Sequence, residues 1–392
     1  LSTPTGNSED EKKKSLKQDW AMQTQSQKAF LQGQSQSQHQ IHTQAQLLSH
    51  VQSQSITPRR VPRSPTGRPM LSRVAESMYW MSRYMERAEH VARIVTVNFN
   101  MLMDLGELAP SMQEKQWQGV LQILRLDNTV EGKTILSASD RNIGVRVADY
   151  MSFNPLNRNS LISCLTKARE NARSIRESIS AEMWETLNTL YWSLLADDVK
   201  QRMEESPAQV FQSVIMGSML FQGVSDQTLP HGQGWQFIQL AKYLERVDMT
   251  CRIIDTKFDI LRADEPTMET PLRNIQWMAV LRSCSSIEAY RRRHVGDLDP
   301  QRLAAFLILD KESPRSIRYC VREAQNAIAG IAAAVHPQEI DLTERILGRL
   351  NSQLEFSESR EFSGAGLKYV LRQIQENTAE AASAVQRSYF LH

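Results

Sequence analysis

The chain has 392 residues, enough to bury a sizeable core and to form two or three domains. Its net charge of +2 is unevenly spread: residues 1–69 hold nine Lys/Arg against four Asp/Glu, and the rest holds 37 against 40. The basic excess therefore belongs to the N-terminal segment, and the larger part gives no global reason to expect nucleic acid. Cys164, Cys251, Cys284 and Cys320 form no CxxC and no close pairs, which reads as reduced thiols in a cytoplasmic protein. No apolar run reaches the roughly 18 residues of a membrane span, and Lys12-Lys13-Lys14 precedes no apolar signal segment.

Residues 1–69 read as a disordered tail or a mis-assigned start. Gln and Ser crowd positions 18–55, and Pro58, Pro62, Pro65 and Pro69 follow, too little apolar material to offset the entropy of ordering. Leu1 is not a methionine, whereas Met70 stands at the head of the first strong helical pattern. From Met70 to about Leu105, Val74, Met78, Met81, Met85, Ala88, Ala92, Val95, Phe99 and Leu102 recur at alternating steps of four and three. That spacing is one face of a long helix packed along its length. A second helix holds Gln116-Trp117 and Val120-Leu121. Gly132 to Asp140 read as a loop, followed by a short helix to Phe153, a turn at Asn154-Pro155, and helices over about 160–179 and 181–203. Ser206-Pro207 has the form of a helix cap with proline in the first turn, opening a helix to about Val224.

The second half resembles the first. Phe237, Leu240, Leu244, Val247, Cys251, Ile254, Phe258 and Leu261 repeat the three-four stripe, and Tyr243-Leu244-Glu245-Arg246 stands where the first half has Tyr84-Met85-Glu86-Arg87. Gln276-Trp277 echoes Gln116-Trp117, and Ser316-Ile317 to Cys320 echoes Ser160-Leu161 to Cys164. These landmarks are offset by 156 to 160 residues. The expected architecture is therefore all-α, an internally duplicated, pseudo-twofold bundle of about twelve helices. The body spans 70–392, with a first repeat at about 70–180, a second at about 232–336, and less similar helices at 181–225 and 338–390.

Glu86, Glu89 and Arg93 share a flank of a helix that is apolar nearly all round, so the sequence predicts desolvated charges that must find partners. Glu89 to Arg93 and Asp248 to Arg252 have i,i+4 spacing, and Glu86 and Glu245 are expected to pair with an arginine of the other half. Three chemistries are open to these residues. Glu86 or Glu245 would serve as a general base, with Arg87 or Arg246 stabilising an anion. Glu86-x-x-Glu89-His90 and Glu245-x-x-Asp248 would hold a metal, as carboxylate-bridged bundles do, but the Glu-x-x-His spacing is absent and Met249 replaces His90 in the second half. No metal or cofactor is predicted. Finally, Glu89, Arg93, Asp248, Arg252, Arg169, Arg173, Arg291, Arg292, Arg293 and Arg315 are candidate ligand-binding residues, the last beside Ser313 and Ser316 at a helix N-terminus suited to an anion. No phosphate loop, HExxH or GxSxG appears.

Met70-Leu71-Ser72-Arg73-Val74-Ala75-Glu76, Tyr79-Trp80, Arg83 to Glu89, Ala168 to Arg173, Ser180 to Glu185, Tyr243 to Arg246, Glu288 to Arg293 and Ser313-Pro314-Arg315-Ser316 together resemble the bacterial alpha-E family, helical domains with an E-R motif. The resemblance covers 70–392 and none of 1–69. It implies a protein found beside, or fused to, circularly permuted ATP-grasp proteins. The resulting expectation is a binding or co-catalytic partner of an ATP-grasp peptide or amide ligase, with a peptide substrate as a further ligand and with no nucleic-acid or membrane partner.

Overall fold

The computed structural model describes residues 70–105, 110–137, 143–264, 270–294, 296, 298–335 and 340–390, and the readings made for 1–69 lie outside them. Within them the protein is all-α, with fifteen α-helices and no strand. The first is α1 (Ser72–Leu105), followed by α2 (Pro110–Ile123), α3 (Val130–Ser137), α4 (Ile143–Phe153), α5 (Leu161–Ser174), α6 (Ala181–Ser193), α7 (Val199–Glu205) and α8 (Pro207–Thr228). The second half comprises α9 (Gln233–Asp264), α10 (Thr270–Ser283), α11 (Ile287–Arg293), α12 (Pro300–Leu309), α13 (Ile317–Val335), α14 (Leu342–Phe356) and α15 (Gly364–Val385). The last continues as a π-turn over Gln386–Phe390.

The two longest helices, α1 and α9, lie side by side at the centre. Helix α1 also packs on α5, α8 and α10, and α9 on α13 and α15. Both three-four stripes are buried as their spacing predicts, except that Phe99 and Leu102 are half-buried. Ala88, Ala92 and Ala241 line the inner faces and let backbones approach. Ser82 Oγ donates to Ile238 O at 2.8 Å and Ser218 Oγ to Met85 O at 3.2 Å, two hydroxyls each bonded to a neighbouring helix's main chain.

Paired features accompany the paired helices. Phe99 meets Trp117 with ring centroids 4.7 Å apart, and Phe258 meets Trp277 at 4.5 Å. Two residues beyond the ends of α2 and α10 stands a left-handed non-glycine residue, Arg125 at φ 56° and Ser285 at φ 50°. In each case the next amide reaches back five residues: Leu126 N to Leu121 O and Ser286 N to Leu281 O, both at 2.8 Å. Cys164 and Cys320 each donate to the carbonyl six residues upstream.

Three local readings are corrected. The stretch read as a loop from Gly132 begins inside α3, because Thr129 Oγ1 accepts from Gly132 N at 3.0 Å and caps it. Gly132 is required there for space, since a Cβ would sit 1.9 Å from Leu126 O. The helix read over 181–203 is broken into α6 and α7, because Leu194 and Val199 are both buried five residues apart. On one helix they would point about 140° apart. The helix expected to reach 179 stops at Ser174 and gives way to a 3-10 turn, Arg176–Ser178. Pro207 does open α8, but Ser206 makes no side-chain capping bond.

Candidate functional site: a buried glutamate-arginine lattice

Each Glu-Arg step of one central helix grips that of the other. Glu86 on α1 accepts from Arg246 on α9, Nε to Oε1 at 2.7 Å and Nη2 to Oε2 at 3.2 Å. Glu245 on α9 accepts from Arg87 on α1, Nε to Oε1 at 2.6 Å and Nη2 to Oε2 at 2.9 Å. Both forks are two-point contacts, the geometry that makes arginine-carboxylate pairs strong. Both carboxylates are buried, Glu86 1% and Glu245 0% exposed, which matches the desolvated cross-pairing that the helical wheel predicts.

A second layer surrounds each fork. On the Glu86 side, Gln222 of α8 donates to Glu86 Oε2, and Arg315 enters from the turn before α13. Arg315 places Nη1 3.1 Å from Glu86 and Nη2 2.8 Å from Glu89, while Arg93 closes on Glu89 from one turn along α1. Arg246 Nη1 and Thr250 Oγ1 donate to Pro314 O and Arg315 O, pinning that turn to α9. On the Glu245 side, Arg83 Nε lies 2.6 Å from Glu245 Oε2, and Arg252 forks onto Asp248. Each side thus sets three arginines against two carboxylates.

Burial alone would raise these acids' pKa values, but the guanidiniums overcome it. Glu245 is brought down to about 2, with Arg87 and then Arg83 as the opposing charges. Glu86 is held well below the usual carboxylate range by Arg246 and Arg315, and Glu89 is lowered by Arg315 and Arg93. On His90 burial and the guanidiniums work in the same direction. Burial, then Arg315 with its Nη1 3.3 Å from Nε2, brings it down to about 4, so the imidazole is neutral at pH 7.

Glu86, Glu89 and His90 do bring ligand atoms within 4.8 Å of one another. They do not fit a divalent cation, because Arg246, Arg315 and Arg93 already stand against the same oxygens. A dication would have to displace three guanidiniums, and the second half offers Asp248 and Met249 instead.

The other sequence candidates separate. Arg315 is part of the lattice, not an anion site at a helix end. Ser316 caps α13, its Oγ accepting from Tyr319 N, and in the turn before it Asp310 Oδ1 accepts from the amides of Glu312 and Ser313. Arg169 donates to Asn188 and lies over the rings of Trp184, Tyr191 and Trp192, and Arg173 is exposed near the end of α5. Arg291, Arg292 and Arg293 are exposed in the last turn of α11, where cations complement the helix dipole. Arg293 also pairs with Asp310 and Glu312 beside a cleft of about 600 Å³. A smaller cleft of about 290 Å³ adjoins the lattice, lined by Arg83, Arg87, Asp248 and Arg252 together with Arg125 and residues of α15. Sequence reasoning missed Arg83, Gln222 and Arg125 as lattice or cleft residues. Arg83 carried a signal, standing one turn before Arg87 on the same face; the other two carried none.

Fold and site define a class: an all-helical protein whose two central helices are cross-linked by reciprocal buried Glu-Arg forks. The family described as Alpha-E, a predicted alpha-helical domain with a conserved ER motif, matches residues 70–390, and the chain belongs to that family. It is similar to uncharacterised proteins of Mycobacterium bovis and Mycobacterium tuberculosis, 24% identical over 319 residues that cover 77% of this chain. The match takes in 34% of each relative, so the chain spans about a third of the length of the curated relatives it matches. No solved structure matches it.

Proposed function

We propose that this protein is a non-catalytic or co-catalytic partner in an ATP-grasp amide-ligase system, docking on the ligase and presenting a peptide-like substrate. The observation that carries the non-catalytic part is the saturation of Glu86 and Glu245 by arginines. A general base works best with a pKa near the operating pH, and acids held this low have no useful affinity for a proton. The E-R motif is then a clasp that fixes the register of α1 and α9, not the reaction centre. No helix among the described residues is long and apolar enough to cross a membrane.

The docking part is supported by an apolar surface on α6 and α8, outside the clasp. Trp192, Met216, Met219 and Leu220 are 57%, 54%, 41% and 58% exposed. Leu220 lines a groove of about 450 Å³ with Leu190 and Gly217. Met216, Met219 and Leu220 share one face of α8 by their three-four spacing, and exposed apolar side chains on one face mark protein contact surfaces. The greater length of the mycobacterial relatives is consistent with a module that works joined to other chain.

The test is co-expression with an ATP-grasp amide ligase of the same organism. The ligase should co-purify with the chain and lose activity in its absence. Leu220→Glu and Trp192→Glu, both at exposed positions, should abolish co-purification with little change in melting temperature. A ligase that neither co-purifies nor changes its rate contradicts the reading.

A further inference from the structure

We propose that the cleft between α1, α9 and α15 binds a small, multiply charged oxyanion, a phosphate or carboxylate compound. This reading is separate from docking on a ligase, since it concerns other helices and a different ligand class. Arg83, Arg87, Arg125 and Arg252 line the cleft against a single acid in its wall, Asp248. Glu245 stands behind them fully buried, offsetting charge without reaching the cleft. The wall therefore carries a strong positive excess where a ligand would sit.

The guanidiniums are only partly spent. Arg87 and Arg252 each commit their Nε and Nη2 edges to carboxylates. Arg83 is nine-tenths buried, and its Nε, although 2.6 Å from Glu245 Oε2, is misaligned with it and donates no hydrogen bond. Arg125 gives Nη2 to Gln375 at a long 3.3 Å. Arg83 also gives Nη1 to Tyr79 Oη at a long 3.3 Å, and an oxyanion is the group complementary to guanidiniums that line a cleft.

The two sides of the lattice differ in a way that bears on this. Around Glu86, Arg315 stands against the fork and its turn is pinned to α9; on the Glu245 side a cleft adjoins the fork. Arg125 reaches it from a left-handed backbone, φ 56°, a conformation that glycine adopts more easily. Its side chain is exposed, so packing does not require an arginine there. At about 290 Å³ the cleft falls at the small end of ligand sites, which run roughly 300–1,000 Å³. Trp80 and Tyr79 flank it with aromatic surface.

The test is calorimetric titration of the full chain with inorganic pyrophosphate in one arm and citrate in the other. Binding near one equivalent is expected, weakened at least tenfold when salt is raised from about 50 mM to about 500 mM. Binding of pyrophosphate alone assigns a phosphate compound, of citrate alone a carboxylate, and of both the shared oxyanion chemistry. Arg125→Gly, which relieves the left-handed backbone, should melt no lower than the parent yet bind at least tenfold more weakly. Ser383→Glu, at an exposed α15 position lining the cleft, should likewise fold and lose binding. Failure of both probes to bind, or undiminished binding by either variant, overturns the proposal.

Discussion

Glu86→Gln should destabilise the protein by about 3–5 kcal/mol, the range for removing one member of a buried ion pair. The amide keeps the shape but strips the charge that holds Arg246 and Arg315, which are 7% and 6% exposed and have no water to turn to. At roughly 2–4 °C per kcal/mol for domains of a few hundred residues, the melting temperature should fall by on the order of 10 °C. The loss belongs to the stranded arginines rather than to a net gain from the pair. Glu86→Leu combined with Arg246→Met should therefore recover the part due to Arg246, since apolar replacements of buried pairs are often neutral, while Arg315 keeps its contact with Glu89. Equilibrium urea unfolding of the three proteins checks both statements. Equal losses in the single and double variants would contradict this partition.

Acidification should weaken the fold in two stages. His90 has its folded pKa depressed to about 4, against an ordinary value near 6.5. Between those values the unfolded chain binds the proton and the folded one does not, so stability falls as pH drops through that window. At about 1.4 kcal/mol per pKa unit, the loss is about 3 kcal/mol. The second stage comes from the carboxylates. Glu245 at about 2, with Glu86 and Glu89 lowered in the same direction, contributes stability that is complete above about 4.5 and disappears as pH falls towards the folded values. Denaturant midpoints at pH 7.5, 5 and 4 should decline steadily, and His90→Gln should flatten the stage above pH 4.5. A midpoint unchanged from pH 7.5 to 4.5 in the parent protein would contradict a buried, neutral His90.

The helix class, the two long central helices and the desolvated cross-pairing of Glu86 and Glu245 were legible because they rest on local periodicity. A three-four apolar stripe that leaves a Glu-Arg step on its flank admits few arrangements once the helix is buried. Helix ends were less legible. Leu194 and Val199 break a helix without glycine or proline, and only tertiary burial explains the break. The partners of the lattice were partly hidden, because Gln222, Arg315 and Arg125 come from elements whose approach depends on long-range topology. By its sequence Arg315 marks an anion site at a helix end, yet its own helix is capped by Ser316 and its guanidinium turns inward to Glu86 and Glu89. Internal duplication is our proposal for the matched aromatic pairs, left-handed turns and reciprocal forks at offsets near 160 residues. It would explain why Arg87 and Arg93 recur as Arg246 and Arg252, while the third arginine of each side, Arg315 or Arg83, comes from an unmatched position.

The central claim is that the acids of the E-R motif are permanently ionised clasps and not proton acceptors. Carbon-detected NMR titration of the Glu86 and Glu245 side-chain carboxyls, labelled with carbon-13, tests it most directly. The account predicts no titration of either group between pH 7.5 and 4.5, with both shifts those of ionised carboxylates throughout. A titration midpoint above pH 5 at either glutamate would show a carboxylate free to take a proton, and would contradict it.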